Sequence, residues 1–316
     1  MQANQAKHSF PEYVLDPVPA SHWRHAPPIE GTKLGFCETC GFLHVDPYPP
    51  AEYLADFYSR YEMPTPQANL AETARLLARN IGDQDVILDI GCGDGAFLQE
   101  MHKLEFERLI GFDQSPGLER AMKLGFGTFY RSSVWEFLDN AERGQRTDAR
   151  AIVMVNVLEH VAEPLELLAR IHRVLPERGL VCVTVPNDFS PLQKALLKVK
   201  GHRPWFVALP DHLNYFSFDT LGNALRKCGY EVIDQSALYP LELFLLQDLD
   251  YIADPALGPI AHQRRVTFED NMKAAGMTDV LDHFYRTLAA GGYGRDVMVV
   301  AKKVGSQPGQ SAPNVG

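Results

Sequence analysis

The chain has little of what several broad classes of protein require. Its five cysteines are an odd number spread over 316 residues, with Cys92, Cys182 and Cys228 scattered through the middle and later parts of the chain, which is not a disulfide framework. No apolar run approaches the ~20 residues that a membrane span needs. The first ten residues lack the apolar centre of a secretory signal, so a cytosolic setting is expected. Positive charge is also short: 30 Lys and Arg stand against 40 Asp and Glu, a formal net charge of −10. Nothing there would neutralise a nucleic-acid backbone, apart from a local basic patch at 194–203, so nucleic acid is not expected as a partner.

The chain does contain a buried strand running into a glycine turn. Val86-Ile-Leu-Asp-Ile-Gly-Cys-Gly-Asp-Gly-Ala-Phe-Leu98 has the continuous apolar run of a strand covered on both faces. Gly91, Gly93 and Gly95 then remove the Cβ atoms that would hold a ligand off the backbone, and the helix that follows points free N–H groups at the same place. The letters Gly91-Cys-Gly93-Asp-Gly-Ala96 also satisfy the dinucleotide fingerprint G-x-G-x-x-G/A. Charge weighs against that reading. Asp89 and Asp94 put carboxylates where a pyrophosphate would lie, whereas the ammonium and sulfonium centres of S-adenosylmethionine would be attracted by them.

The segment D-x-G-x-G-x-G from Asp89 to Gly95 resembles motif I of the class I S-adenosylmethionine-dependent methyltransferases. A second strand, Leu109-Ile-Gly-Phe-Asp113, closes on an acid 18 residues past Gly95, about where doubly wound folds hold a ribose. The buried run Ala151-Ile-Val-Met-Val155 opens into Asn156-Val-Leu-Glu-His-Val161, which resembles motif IV of that family. The resemblance implies an α/β, Rossmann-like sheet of seven mostly parallel strands with helices on both faces. It assigns S-adenosylmethionine to Asp89, Gly91, Gly93, Gly95, Asp113 and Asn156. The run Phe57-Tyr58-Ser59-Arg60-Tyr61, one residue shorter than the F-Y-S-x-x-Y segment common in the family, adds Tyr58 and Tyr61 as candidates for the methionine end of the cofactor, or as residues that pack an N-terminal module onto the core.

The pattern of elements divides the chain into an irregular N-terminal module (1–66), an alternating helix and strand core (67–238), a helical insertion (239–295), a last strand (296–303) and a polar Pro- and Gly-rich tail (304–316) expected to be disordered. Ser217 reads as a helix cap ahead of an amphipathic run that stops before Gly229. The insertion offers either a cap over the substrate or a dimer surface.

Cys37-Glu-Thr-Cys40-Gly41 has the C-x-x-C-G form of a zinc knuckle. Related bacterial methyltransferases, sugar C-methyltransferases among them, carry a second C-x-x-C upstream. Here that position holds His22 and His25 at the same spacing, so Cys37, Cys40, His22 and His25 are the expected ligands of a structural zinc, unless the site has been lost and the four are ordinary core and surface residues.

Methyl transfer to a hydroxyl needs a group that takes the proton. Candidates sit on loops after strand ends: Asn156, Glu159 and His160, then Asn187 and Asp188, then the Asp-His-Leu-Asn-Tyr-Phe-Ser run from 211 to 217, which resembles a family signature. His212 is the first choice for the base, with His160 and Glu159 beside it, and residues 198–209 read as a lid that excludes water, unless Trp205 and Phe206 are simply core. The expected activity is methylation of a small molecule, a sugar or glycan precursor. An NAD(P)-dependent oxidoreductase and a silent cofactor-binding module stay open.

Overall fold

A computed structural model describes residues 8–60, 68–144 and 147–304; Tyr61 and the expected tail from 305 onward lie outside the described residues. Near the start, β1 (Tyr13–Leu15), β2 (Lys33–Cys37) and β3 (Phe42–Asp46) form antiparallel pairs. Helices α1 (Ala51–Arg60) and α2 (Leu70–Ala78) lead into the main sheet. There β4 (Ile87–Ile90), α3 (Ala96–Lys103), β5 (Leu109–Asp113), α4 (Leu118–Ala121), β6 (Thr128–Arg131), α5 (Val134–Glu142) and β7 (Ala151–Val155) alternate. They are followed by α6 (Pro164–Val174), β8 (Leu180–Pro186) and α7 (Pro191–Val199). The chain continues through β9 (Asn214–Tyr215), α8 (Phe218–Lys227), β10 (Tyr230–Ser236), α9 (Glu242–Leu246), α10 (Gly258–Ala274), α11 (Thr278–Ala290) and β11 (Asp296–Lys303).

The main sheet has seven strands in the order β10-β11-β8-β7-β4-β5-β6, and β11 is the antiparallel member. Its central strand explains its place. Every residue of β7 is buried, and alternate side chains feed two cores: Ile152 and Met154 on one face, Ala151, Val153 and Val155 on the other. A strand buried on both faces reads as an unbroken apolar run because neither face meets water. Helix α6 starts on Pro164 and buries Leu167, Leu168, Ile171 and Val174, one stripe at helical spacing, against the first of these cores. Ser217 caps α8 in a reciprocal capping box with Thr220.

Two features were not foreseen. The short strand β9, far along the chain, pairs with β3 and completes a four-stranded sheet β1-β2-β3-β9. The insertion is also not simply a cap, because α11 buries Leu281 and Tyr285 in the same core as Ile87 and Met298. Its neighbour α10 faces the cavity described below through His262 and Arg265.

Candidate active site

The parallel strands β4, β5, β7 and β8 end on one side of the sheet, and the order reverses between β5, β4 and β7, the place where open α/β sheets hold ligands. Gly91, Gly93 and Gly95 follow β4 with φ of 74°, 55° and 81°, a left-handed region that L side chains enter at a cost of roughly 1–2 kcal/mol. A Cβ at Gly91 would stand 2.6 Å from Val157 Cγ2, and one at Gly95 2.7 Å from Leu124 Cδ1. At Gly93 nothing lies within 4 Å, so this glycine faces open space at the helix start. Asp113, at the end of β5, braces the turn: its Oδ2 accepts from the Gly93 N–H at 2.7 Å and its Oδ1 from the Ser115 N–H at 2.5 Å.

Asp89 is buried, and its carboxyl lies well above the usual carboxylate range, first because burial penalises the charge and then because Asp113 is negative. Asp94 sits 3.8 Å from Arg120 Nε. The acidity of the turn is therefore partly masked in the free protein, and the charge argument against a pyrophosphate is weaker than the letters suggest. An open glycine cradle, a braced acid and a buried carboxyl that a nearby cation would favour ionising fit S-adenosylmethionine.

Asn156 follows β7 in the left-handed region (φ 53°), and its Oδ1 accepts from Asn69 Nδ2 at 3.2 Å. Beside it opens a cavity of about 420 Å³ lined by Asn156, Glu159, His160, Asp211 and His212 together with Arg265 and Arg295. His160 Nδ1–H donates to the Asp211 backbone oxygen at 2.5 Å, its Nε2 lies 3.6 Å from Glu159 Oε1, and its ring meets that of His212 edge-on at 5.2 Å. Tyr58 donates to the same Asp211 carbonyl at 3.2 Å and sits edge-on to His160. His212 Nδ1 lies 3.9 Å from Asp188 Oδ2.

These contacts set the charges. Burial pushes Glu159 up to about 7 against the pull of His160. Burial opposes the charge on His160, but Glu159 and Asp211 outweigh it and raise the imidazolium to about 9. Burial and the positive His160 together hold His212 down to about 3, so it is neutral near neutral pH. Because the folded value of His160 is raised above the ordinary 6.5, its contribution to stability is complete below that value and is lost as pH rises through about 9. The thermal midpoint is expected to fall over that window, and a His160→Gln variant, measured over the same pH range, to show a flatter profile.

The loop carrying Glu159 and His160 is held from below. Asn214 in β9 is fully buried, and its Nδ2 donates to the carbonyls of Leu158 (3.2 Å), Glu159 (3.4 Å) and Val161 (2.7 Å). The proposed lid is not free to move as one piece. Phe206, Val207 and Leu209 are buried in an apolar cluster, and Arg24 N–H donates to the Leu209 carbonyl. Burial of those aromatic and aliphatic side chains outweighs the hinge character of Gly201 and Pro204.

The metal-ligand expectation divides. Cys37 and Cys40 come together, but His22 is buried elsewhere, its Nδ1 3.3 Å from the Val207 carbonyl, and His25 is exposed. The histidines beside the two thiols are His8 and His44. The C-x-x-C spacing carried the thiols, but only the β2–β3 hairpin brings His44 onto them, and a partner 29 residues upstream of Cys37 has no spacing rule. Glu159, His160 and His212 also have ligand atoms within 4.8 Å of one another, a second group whose composition could hold a cation. Arg24, Asn69, Arg265, Arg295 and Asp296 reach the cavity without any motif to announce them.

Residues 60–235 match a family described as "Methyltransferase domain". The chain is 31% identical over 156 residues to a "Ubiquinone biosynthesis O-methyltransferase" of Ruegeria pomeroyi, an alignment covering 47% of this chain and 61% of that protein. It is 30% identical over 159 residues to the protein so named in Cereibacter sphaeroides, covering 48% and 62%. The matches thus span about three fifths of these curated relatives. The fold is shared with the Burkholderia thailandensis 1,6-didemethyltoxoflavin-N1-methyltransferase, at a TM-score of 0.50 and 15% identity over 88% of this chain and 97% of that one. With the matched segment covering more than half of its length, the chain belongs to the methyltransferase domain family, among the class I S-adenosylmethionine-dependent methyltransferases.

Proposed function

We propose that this protein moves a methyl group from S-adenosylmethionine to a hydroxyl of a small polar molecule. The observation that carries this reading is the Glu159, His160, Asp211 and His212 cluster lining a cavity at the strand ends beside the glycine cradle. S-adenosylmethionine, when bound, supplies an electrophilic methyl on a sulfonium. Gly91, Gly93 and Gly95 would let the backbone approach it, Asp113 would take the ribose hydroxyls, and Asp89 would serve its cationic end. Asn156 lines the cavity and Tyr58 contacts its residues His160 and Asp211.

His212, neutral and at the cavity wall, would take the proton of an acceptor hydroxyl placed in the cavity. His160, held positive by Glu159 and Asp211, keeps His212 from being protonated beforehand. Holding the hydroxyl in line with the methyl supplies much of the acceleration. The side chains of Arg24, Asn69, Arg295 and Asp296 give the cavity several polar groups, which favours a sugar or glycan precursor with many hydroxyls. The unpaired Cys92, Cys182 and Cys228 suit a cytosolic setting, and no helix among the described residues is long and apolar enough to cross a membrane.

A second acceptor class is favoured by one observation. Tyr239 belongs both to the cavity and to an apolar recess of about 480 Å³ lined by Phe244, Phe268, Met272 and Phe284. An aromatic acceptor with an apolar arm would use both, in keeping with the name of the ubiquinone-biosynthesis relatives. Calorimetric titration with S-adenosylhomocysteine, with NAD and NADP in parallel, tests the cofactor, and turnover on sugar nucleotides against alkylated phenols tests the acceptor. Binding of a dinucleotide alone would overturn the reading.

Asp89 gives the cofactor assignment its own signature. A carboxyl held high in the free protein by burial should ionise when a cation arrives, so binding should release a proton. The binding enthalpy of S-adenosylhomocysteine is expected to vary with the ionisation enthalpy of the buffer, and this dependence should vanish in Asp89→Asn.

A further inference from the structure

We infer that His8, Cys37, Cys40 and His44 hold a structural zinc ion, and that this ion fixes the N-terminal sheet beneath the loop of Glu159 and His160. The inference stands independently of the acceptor's identity.

The four ligand atoms lie within 4.8 Å of one another. His8 Nδ1 is 3.5 Å from Cys37 Sγ and 3.5 Å from Cys40 Sγ. A tetrahedral ion with Zn–S of about 2.3 Å and Zn–N of about 2.0–2.1 Å has N···S edges of roughly 3.5–3.6 Å. His44 is prepared for the fourth position. Its Nδ1–H donates to the Val45 carbonyl at 2.8 Å, which sets the tautomer and leaves Nε2 as a bare acceptor. That Nε2 is buried with no hydrogen-bond partner in a residue only 1% exposed, a cost of roughly 1–3 kcal/mol unless a ligand relieves it. Gly41, at φ 88°, turns the chain tightly after the thiols, and the Cys40 N–H points at Cys37 Sγ at 3.4 Å, as in knuckles that stabilise thiolates.

The site connects to the cavity through packed neighbours. His44 pairs with Asn214 across β3 and β9, and its ring stacks on Tyr48 at 4.9 Å. The Tyr48 hydroxyl donates to Asn214 Oδ1 at 2.8 Å. Asn214 in turn carries the carbonyls of Leu158, Glu159 and Val161. A zinc ion on His44 therefore holds the strand that holds the catalytic loop. With four protein ligands it has no open position for chemistry.

Elemental analysis of the full chain, purified without chelators, should find one zinc per chain. Cobalt(II) loaded in its place should show the intense visible bands of a tetrahedral thiolate site. Cys37→Ser and His44→Ala should lose the metal, His44→Cys should retain it, and His22→Ala should bind one ion like the parent. Chelation should lower the thermal midpoint and raise hydrogen exchange at 158–161 and 213–215, while S-adenosylhomocysteine still binds. Zinc well below one per chain, or loss of zinc in His22→Ala with retention in His44→Ala, would overturn the assignment. Unchanged exchange at 158–161 after chelation would overturn the link to the catalytic loop.

Discussion

His212→Ala is expected to lower kcat by about 10²–10⁴-fold, the range usual for removing a positioned general base, while binding S-adenosylhomocysteine as tightly as the parent. The expectation follows from position and charge. His212 lies on the loop before β9 and lines the cavity, on a different segment from the glycine turn after β4. It is neutral because burial and the positive His160 both disfavour its protonation, so the lone pair is available when the acceptor arrives. Asp188, whose carboxyl burial raises to about 7 despite Arg295, lies 3.9 Å from Nδ1 and steadies the ring. Alanine leaves these neighbours in place and removes only the proton acceptor. Full turnover by the variant, with cofactor binding intact, would take His212 out of the mechanism and move the role to Glu159, whose carboxyl titrates near about 7.

Asp113→Ala is expected to weaken S-adenosylhomocysteine binding by at least about tenfold. Its carboxylate accepts from the Gly93 and Ser115 N–H groups and so shapes the turn before any ligand binds. Hydrogen bonds to a charged group contribute about 1.5–3 kcal/mol each, and about 1.4 kcal/mol corresponds to tenfold in affinity. The variant loses the brace and the ribose acceptor together. Asp113→Asn separates these roles, because its amide still accepts from one N–H and offers a donor to the ribose; it should fall between parent and alanine variant. Calorimetry is the measurement, and an affinity within about twofold of the parent for Asp113→Ala would show that the ribose is held elsewhere.

The strands of the main sheet were legible because parallel strands buried on both faces are apolar without interruption, as in residues 151–155. The glycine turn was legible because positive φ and close approach leave few residues but glycine to serve. Ser217 was legible as a cap because capping is a contact three residues long. Where the physical cause spans the chain, the letters were silent or misleading. His22 and His25 had the right spacing for a metal, yet His44 stands beside the thiols because β2 and β3 form a hairpin. Residues 198–209 leave a lid and a core reading of Phe206 open, and the core reading holds for Phe206 and Leu209 because they cluster with Val18, Trp23, Leu34 and Val45. Asn214 lies in the run from 211 to 217, but its task of carrying the carbonyls of Leu158, Glu159 and Val161 appears only when β9 joins β3.

By itself, the sequence determined what rests on local rules: the alternation of elements, the glycine turn from Asp89 to Gly95, the acid at Asp113 and the presence of Glu159, His160 and His212 on loops. Tertiary structure alone decided which nitrogen faces which carboxylate, which histidine is charged and which neutral, and which imidazoles accompany Cys37 and Cys40. Those properties arise from burial and from charges brought within a few ångströms by segments distant in sequence, and neither quantity is encoded in any single stretch of chain.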